Sequence, residues 1–315
     1  MSRNKHPITF SPTIFNCFKP AGPSSFEVVS KFKRNLPKGI GKIGHFGTLD
    51  PFACGVLLVG IAGATKLTDL VSTLPKTYIA VGKLGIKSDS GDVLGNIVKN
   101  IEISNEIRSM SKDHIDKRVK DKFFGVYMQP PHHFSASKHN GIPLYSYARS
   151  GEFIDKQPVE RNIYDISVIK YYPPYLSISV TVSSGTYIRS LFEDIANELG
   201  TVGMLISLVR SRIGDFSIES SIRKKNWPMM DRPFDENQFG MSLEKAFPFE
   251  EISLTVDDMQ KFATGVPLSF AKNFSGRKWI KGPQRKIVGL VGGASKDESV
   301  IRFQNEIDQE LSQIV

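Results

Sequence analysis

Gly44-His45-Phe46-Gly47-Thr48-Leu49-Asp50-Pro51-Phe52-Ala53-Cys54-Gly55-Val56-Leu57 places one carboxylate, Asp50, in a glycine-punctuated loop directly ahead of an apolar run. Gly44, Gly47 and Gly55 open backbone conformations closed to other residues, and Pro51 stiffens the step after the acid. Val56-Leu57-Leu58-Val59 then reads as a buried strand. Loops held by a rigid scaffold are where catalytic groups concentrate. The commoner use of an Asp beside Pro and Gly is to bond its own backbone in a turn. Local chemistry leaves both readings of Asp50 open.

Outward from this loop, the chain has the size and balance of a globular protein. Its 315 residues are 40% hydrophobic and 23% charged, enough for one large domain and a small one. The formal charge of +9 is unevenly placed: residues 1–50 carry eight Lys/Arg against two acids, and Lys272 to Lys286 carries six against none. Basic stretches near both ends suit a long polyanion, although charge alone fits simple solubility equally well. Cys17 and Cys54 are too few for a disulfide framework or a CxxC-type zinc site, and both read as small buried fillers in a reducing cytosol. The opening MSRNKHPITFSP lacks the apolar centre of a signal peptide, and no run approaches the roughly 18 apolar residues of a membrane helix. A cytoplasmic protein without membrane contact is expected.

Ser24 and Glu27 have capping-box spacing and open a helix over 24–36, with Val28, Val29, Phe32 and Leu36 on one face. Lys31, Lys33 and Arg34 lie mostly off that face. Leu67, Leu70, Val71 and Leu74 form a helical stripe, and Lys76 to Gly85 reads as a strand carrying Tyr78. Residues 103–122 read as a charged, solvent-facing helix. Leu176 to Val182 alternates strictly, as a half-buried strand does, and leads through Ser183-Ser184-Gly185 into a helix striped by Ile188, Leu191, Ile195 and Leu199. Arg189 falls in its first turn. Strands and helices mix without βαβ alternation, which predicts an α+β fold with a largely antiparallel mixed sheet flanked by helices. Asn226 to Phe249 reads as a linker, and Leu254 to Phe303 as a compact all-β module.

The loop sequence GHFGTLDPFACGVLLVGIAGATKL resembles the signature of the TruB family of tRNA pseudouridine synthases. Four further segments fit that family in the same order: Lys19-Pro20 with Gly22 and Ser25; Lys76-Thr77-Tyr78; Gln129-Pro130-Pro131 through Ser135-Ala136 and Lys138; and Gly185-Thr186-Tyr187-Ile188-Arg189. Together they span roughly residues 14 to 216. Phe262-Ala263-Thr264-Gly265-Val266-Pro267 resembles a segment of the PUA-like RNA-binding domain that ends many TruB proteins. The resemblance implies a pseudouridine synthase catalytic domain over 1–245 and a β-rich PUA-like domain over 250–315. It also implies conversion of a uridine to pseudouridine in the T arm of tRNA, conventionally position 55, with no cofactor and no obligatory protein partner.

By the same resemblance Asp50 is the nucleophile and Arg189 the cation that holds it ionised in a site shielded from water. Tyr78 lies against the target base, Leu208 packs near it, and His45 fills the gap left when the uridine is flipped out. Lys19, Lys138 and Tyr187 become substrate or active-site contacts. Ser184, Phe134, Val209 and Pro23 depart from the usual pattern and bear on RNA affinity more than on chemistry. His132, His133 and His139 raise a metal site, but adjacent strand histidines point to opposite faces and no HExxH pattern occurs. Two rivals stand beside this expectation: an RNA-folding chaperone with incidental chemistry, and the guide-RNA-dependent relative that works inside a protein complex.

Overall fold

In the computed structural model the described residues are 10–132, 134–135, 137–154, 156–223, 240–266, 276–292 and 300–313. The chain runs β1 (Thr13–Lys19), α1 (Ser25–Arg34), β2 (Ile43–His45), β3 (Cys54–Ile61), a 3-10 turn (Ala62–Leu67), α2 (Thr68–Ser72) and β4 (Lys76–Leu84). A hairpin of β5 (Ile86–Ser88) and β6 (Ile97–Asn100) leads to α3 (Asn105–Ser109), α4 (Lys112–Phe123) and β7 (Gly125–Gln129). After a second hairpin, β8 (Lys138–His139) and β9 (Ile142–Pro143), come α5 (Leu144–Arg149), β10 (Val159–Tyr172), β11 (Tyr175–Val182), α6 (Ile188–Glu198), β12 (Gly203–Ile213), β13 (Phe216–Ser217) and β14 (Met241–Ser242).

The expected cap at Ser24 is present as a complete capping box, and Val28, Val29, Phe32 and Leu36 are buried. The main sheet has ten strands in the order β14-β1-β3-β12-β4-β11-β10-β7, with β2 on β3 and β13 on β12. One pairing is parallel: β12 meets β3 with Val209 opposite Cys54 and Arg210 opposite Gly55. This is the mixed, mostly antiparallel sheet that the strand pattern predicts. The parallel contact sits where the Asp50 loop enters the sheet, and only glycine fits there. Gly55 has φ +119°, and a Cβ on it would lie 2.2 Å from the Arg210 carbonyl oxygen. Gly55→Ala is therefore expected to cost at least about 2 kcal/mol in denaturant unfolding and to pry the loop from β12.

Alternation along the strands sends Tyr78, Ala80 and Leu84 of β4 and Leu176, Ile178, Val180 and Val182 of β11 into one apolar core with Leu191, Phe192 and Ile195 of α6. That core positions α6, and with it Arg189. The stretch 103–122 departs from expectation. It forms two short capped helices, and Ile107, Ile115, Val119 and Phe123 are buried in the same core, so the segment is amphipathic and its charges cover only the outer side.

The C-terminal part differs in two ways. Strands β15 (Glu250–Ser253), β16 (Lys278–Lys281), β17 (Ile287–Val291) and β18 (Val300–Arg302) make a four-stranded sheet, but helices Val256–Ala263 and Gln304–Ser312 pack on it, so it is not all-β. It is also no independent appendage. Trp279, Leu290 and Phe303 share a buried cluster with Ile14, Phe46 and Leu58, and Trp279 Nε1 donates to the Phe247 carbonyl. Of the expected linker, 226–239 lie outside the described residues; Met241–Ser242 pair with β1, and Leu243 and Phe247 are buried. Cys17 is buried as expected, whereas Cys54 is only half-buried.

Candidate active site

The Asp50 loop is held from three sides. Lys19, at the end of β1, donates from Nζ to the carbonyls of Pro20 (2.9 Å), Pro51 (3.3 Å) and Ala53 (2.7 Å). Its ammonium is fully covered, and burial lowers its pKa to about 8. Ser25 Oγ, in the first turn of α1, donates to the Leu49 carbonyl at 3.0 Å and accepts from the Leu49 amide at 2.8 Å. Arg210 of β12 is buried and donates to the carbonyls of Val56, Thr48 and Gly47 at 2.8, 3.0 and 3.2 Å. Each clamp satisfies loop backbone groups that a buried irregular segment otherwise leaves orphaned.

Arg189 reaches Asp50 from the opposite wall. Its Nε lies 2.9 Å from Oδ2, and Nη2 donates to Oδ1 at 3.3 Å. The remaining donors are taken by the Ser90 carbonyl at 2.7 Å, the Phe134 carbonyl at 2.9 Å and Asp92 Oδ2 at 3.4 Å. Asp92 is itself buried and accepts from Ser90 Oγ and the Leu94 amide, both at 2.9 Å. One cation thus sits between two carboxylates. The start of α6 is fixed in turn by Gln129, whose amide gives and takes a hydrogen bond with the backbone of Tyr187 at 3.0 and 2.8 Å.

The side chain of Asp50 keeps 36% of its surface exposed while that of Arg189 keeps 5%, so the carboxylate faces the cavity and the guanidinium backs it. The cavity holds about 640 Å³ and is walled by His45, Asp50, Tyr145, Tyr187 and Arg189, among others. Burial raises the pKa of Asp50, Arg189 lowers it, and the charge of Asp92 raises it again; the net direction is up. An acid that works ionised is lost as pH falls through its pKa. The acid limb of kcat/KM is therefore expected above the ordinary aspartate value of about 4, and a limb at or below that value would show that Asp50 is not the titrating group.

His45 and Tyr187 join Asp50 and Arg189 in lining the cavity, and Lys19 contacts the loop from behind. Burial, then Arg210, lowers the pKa of His45, which keeps its imidazole neutral at pH 7. Tyr78 and Leu208 are buried in the cluster with Leu49, Phe52 and Ala53, beneath the loop instead of on the cavity wall. Lys138 is not brought in: it is exposed on β8 and does not line the cavity. His132 accepts from the Phe134 amide, and His139 stands edge-on to Tyr147; His133 and Ala136 lie outside the described residues.

Sequence reading missed Ser90, Asp92 and Arg210. The polar turn Ser88-Asp89-Ser90-Gly91-Asp92 carries the composition of a structured loop, but nothing in it points to Arg189. Arg210 gives no local signal either: it faces inward because strand side chains alternate, and a lone basic residue in a strand does not reveal which face is buried.

A carboxylate reachable from an open cleft, backed by a buried arginine and set on a large mixed sheet, has the make-up of an active site on an α+β fold. The comparisons give the family. The model of the TruB family pseudouridylate synthase (N terminal domain) matches residues 33–188. The chain is 39% identical over 242 residues to tRNA pseudouridine synthase B of Francisella philomiragia, covering 76% of this chain and 77% of that one. It is 36% identical over 252 residues to the protein of the same name from Geotalea uraniireducens, covering 79% and 78%. In fold it is similar to a chain in a crystal structure of a Cbf5-Nop10-Gar1 complex, with TM-score 0.66, 23% identity, and 94% and 86% of the two chains covered. The chain belongs to the TruB family of pseudouridylate synthases.

Proposed function

We propose that this enzyme, which isomerises uridine to pseudouridine in tRNA, acts in the T arm at position 55, with Asp50 as nucleophile. The observation that carries the reading is the Asp50–Arg189 pair at the wall of an open cavity. The reaction breaks the bond from base nitrogen to ribose, turns the base and rejoins it through carbon 5. Its net balance needs no oxidant, reductant or phosphoryl donor. A carboxylate suits it because it forms a covalent adduct and departs again. Arg189 keeps the acid charged against the cost of burial, and the neutral, flat His45 suits the space left by an extruded base. Tyr78 and Leu208, buried off the cavity wall, meet the base in this reading only after the Asp50 loop shifts to admit it. A tRNA substrate supports work in the cytoplasm. No helix among the described residues is long and apolar enough to cross a membrane.

The direct test is to incubate the purified chain alone with an unmodified tRNA transcript and map pseudouridine by position. Product at position 55 without guide RNA or protein partner supports the reading. Product elsewhere, or only with an added guide, overturns it. An active-site variant that keeps every cellular function of the wild type would favour the chaperone rival.

In the same reading, residues 250–315 form a PUA-like arm that grips phosphates away from the reacting loop. Deleting the arm is a poor test, because Trp279, Leu290 and Phe303 would leave a shared core exposed. Charge variants serve better. Lys272 lies outside the described residues, Lys278 pairs with Glu250 at 2.6 Å, and Lys281 pairs with Glu251 at 2.8 Å. Arg285 and Lys286 stay exposed. Replacing both with Glu is expected to weaken tRNA binding and lower the salt slope by about two, at roughly 0.9 per phosphate contact. The saturating single-turnover rate should hold. An unchanged slope would show that the patch does not touch RNA.

A further inference from the structure

Phe26 is the most exposed large apolar side chain among the described residues, at 75%. It is not at a frayed edge. It stands in the first turn of α1, on the wall of the cavity that holds Asp50. Its two chain neighbours are pinned. Ahead of it, Ser25 is locked to both backbone groups of Leu49, the residue before Asp50. Behind it, Glu27 closes the capping box, accepting from the Ser24 amide at 2.8 Å while its own amide donates to Ser24 Oγ at 3.2 Å. The ring is therefore carried on backbone whose position relative to the carboxylate is set by hydrogen bonds, and among the described residues no ring stacking or cation contact engages it. Leaving an aromatic ring in water forgoes the gain of burying it, while mounting it rigidly removes much of the entropy cost of using it in a contact.

We propose that Phe26 is a stacking platform for an unpaired base of the RNA, next to the uridine that enters the cavity. This rests on the reading that the chain acts on a looped RNA. The chemistry around Phe26 fits a base better than a protein surface. Its chain neighbours Ser24, Ser25 and Glu27 are polar, and the other apolar side chains on the cavity wall, Leu49, Leu94 and Tyr145 among them, come from separate elements. Farther along α1, the exposed Lys31, Lys33 and Arg34 offer charge to a phosphate backbone. A base presents a flat π-face regardless of its identity, and extruding one nucleotide from a loop unstacks its neighbours, which then need a new partner. Phe26 is in this account a substrate-contact residue that sets affinity and takes no part in the chemical step.

The test uses the full chain and an unmodified tRNA transcript, comparing wild type with Phe26→Ala, Phe26→Leu and Phe26→Trp. For each, filter binding gives affinity, and single-turnover rate against enzyme concentration gives half-saturation and saturating rate. The alanine variant is expected to bind about tenfold more weakly, with its saturating rate within twofold of wild type. Leucine, apolar but without a ring, should behave like alanine, whereas tryptophan should restore wild-type affinity and show fluorescence quenched by RNA above the wild-type background. Thermal unfolding should be the same for all four, since the side chain is exposed. Unchanged affinity in Phe26→Ala overturns the proposal, as does full rescue by leucine, which would mean an apolar contact without stacking. A fallen saturating rate at unchanged affinity would make Phe26 a prop for the Leu49–Asp50 loop, and also overturns it. Wild type that forms no pseudouridine in tRNA would sink the functional reading instead; the binding comparison would still decide the role of Phe26.

Discussion

Asp50→Asn is expected to leave a folded protein that binds tRNA within a few-fold of wild type and forms no measurable pseudouridine. The loss should be at least about a thousandfold, because an amide keeps the shape but cannot form and release the adduct. The structure explains why the fold should survive. Losing the charge on Asp50 does not strand Arg189, which still faces Asp92 at 3.4 Å and donates to the carbonyls of Ser90 and Phe134. The usual penalty for orphaning a buried charge is thereby avoided. The check is single-turnover product formation beside a thermal melt, with mass spectrometry to exclude deamidation back to Asp. Turnover by intact Asn protein would remove Asp50 from the role of nucleophile.

Arg189→Lys is expected to lower the saturating single-turnover rate about a hundredfold, equivalent to roughly 2.7 kcal/mol. Charge is retained, so the loss measures geometry. The guanidinium meets both oxygens of Asp50 and, at the same time, two carbonyls and Asp92. An ammonium is a point charge on a shorter reach and cannot hold that set at once. The carbonyls of Ser90 and Phe134 would each lose a donor, so a fall in stability of about 1–3 kcal/mol should accompany the loss of rate. Affinity for tRNA should change little, since only 5% of the Arg189 side chain is exposed. A lysine variant with the wild-type rate would reduce Arg189 to an ordinary ion-pair partner.

Much of this was legible along the chain because the signals are local. The Ser24–Glu27 cap needs only residues three apart, and the strand Leu176–Val182 and the stripe of α6 need only period. The loop around Asp50 stood out by composition, but local chemistry left its role open; the roles of Asp50 and Arg189 came from the family resemblance. The reading of 103–122 as solvent-facing failed for the opposite reason. Its charged surface dominates the sequence and masks the stripe of Ile115, Val119 and Phe123, four apart on one helix, with Ile107 on the helix before it.

By itself, the sequence determined most of the elements and the family, since each follows from residues close together or from motifs kept in order along the chain; the pairing of Asp50 with Arg189 was an expectation that the family resemblance supplied. Only the tertiary structure decided what holds them. Lys19, Ser25 and Arg210 grip the Asp50 loop from β1, α1 and β12, segments as much as 163 residues apart for the Arg210–Gly47 bond. Asp92 reaches Arg189 from the turn between β5 and β6, and the C-terminal sheet shares its core with β1 and β3. Such contacts are made by side chains whose partners are set by strand order and by one parallel pairing. Strand order is a property of the closed fold, written in no single stretch of the chain.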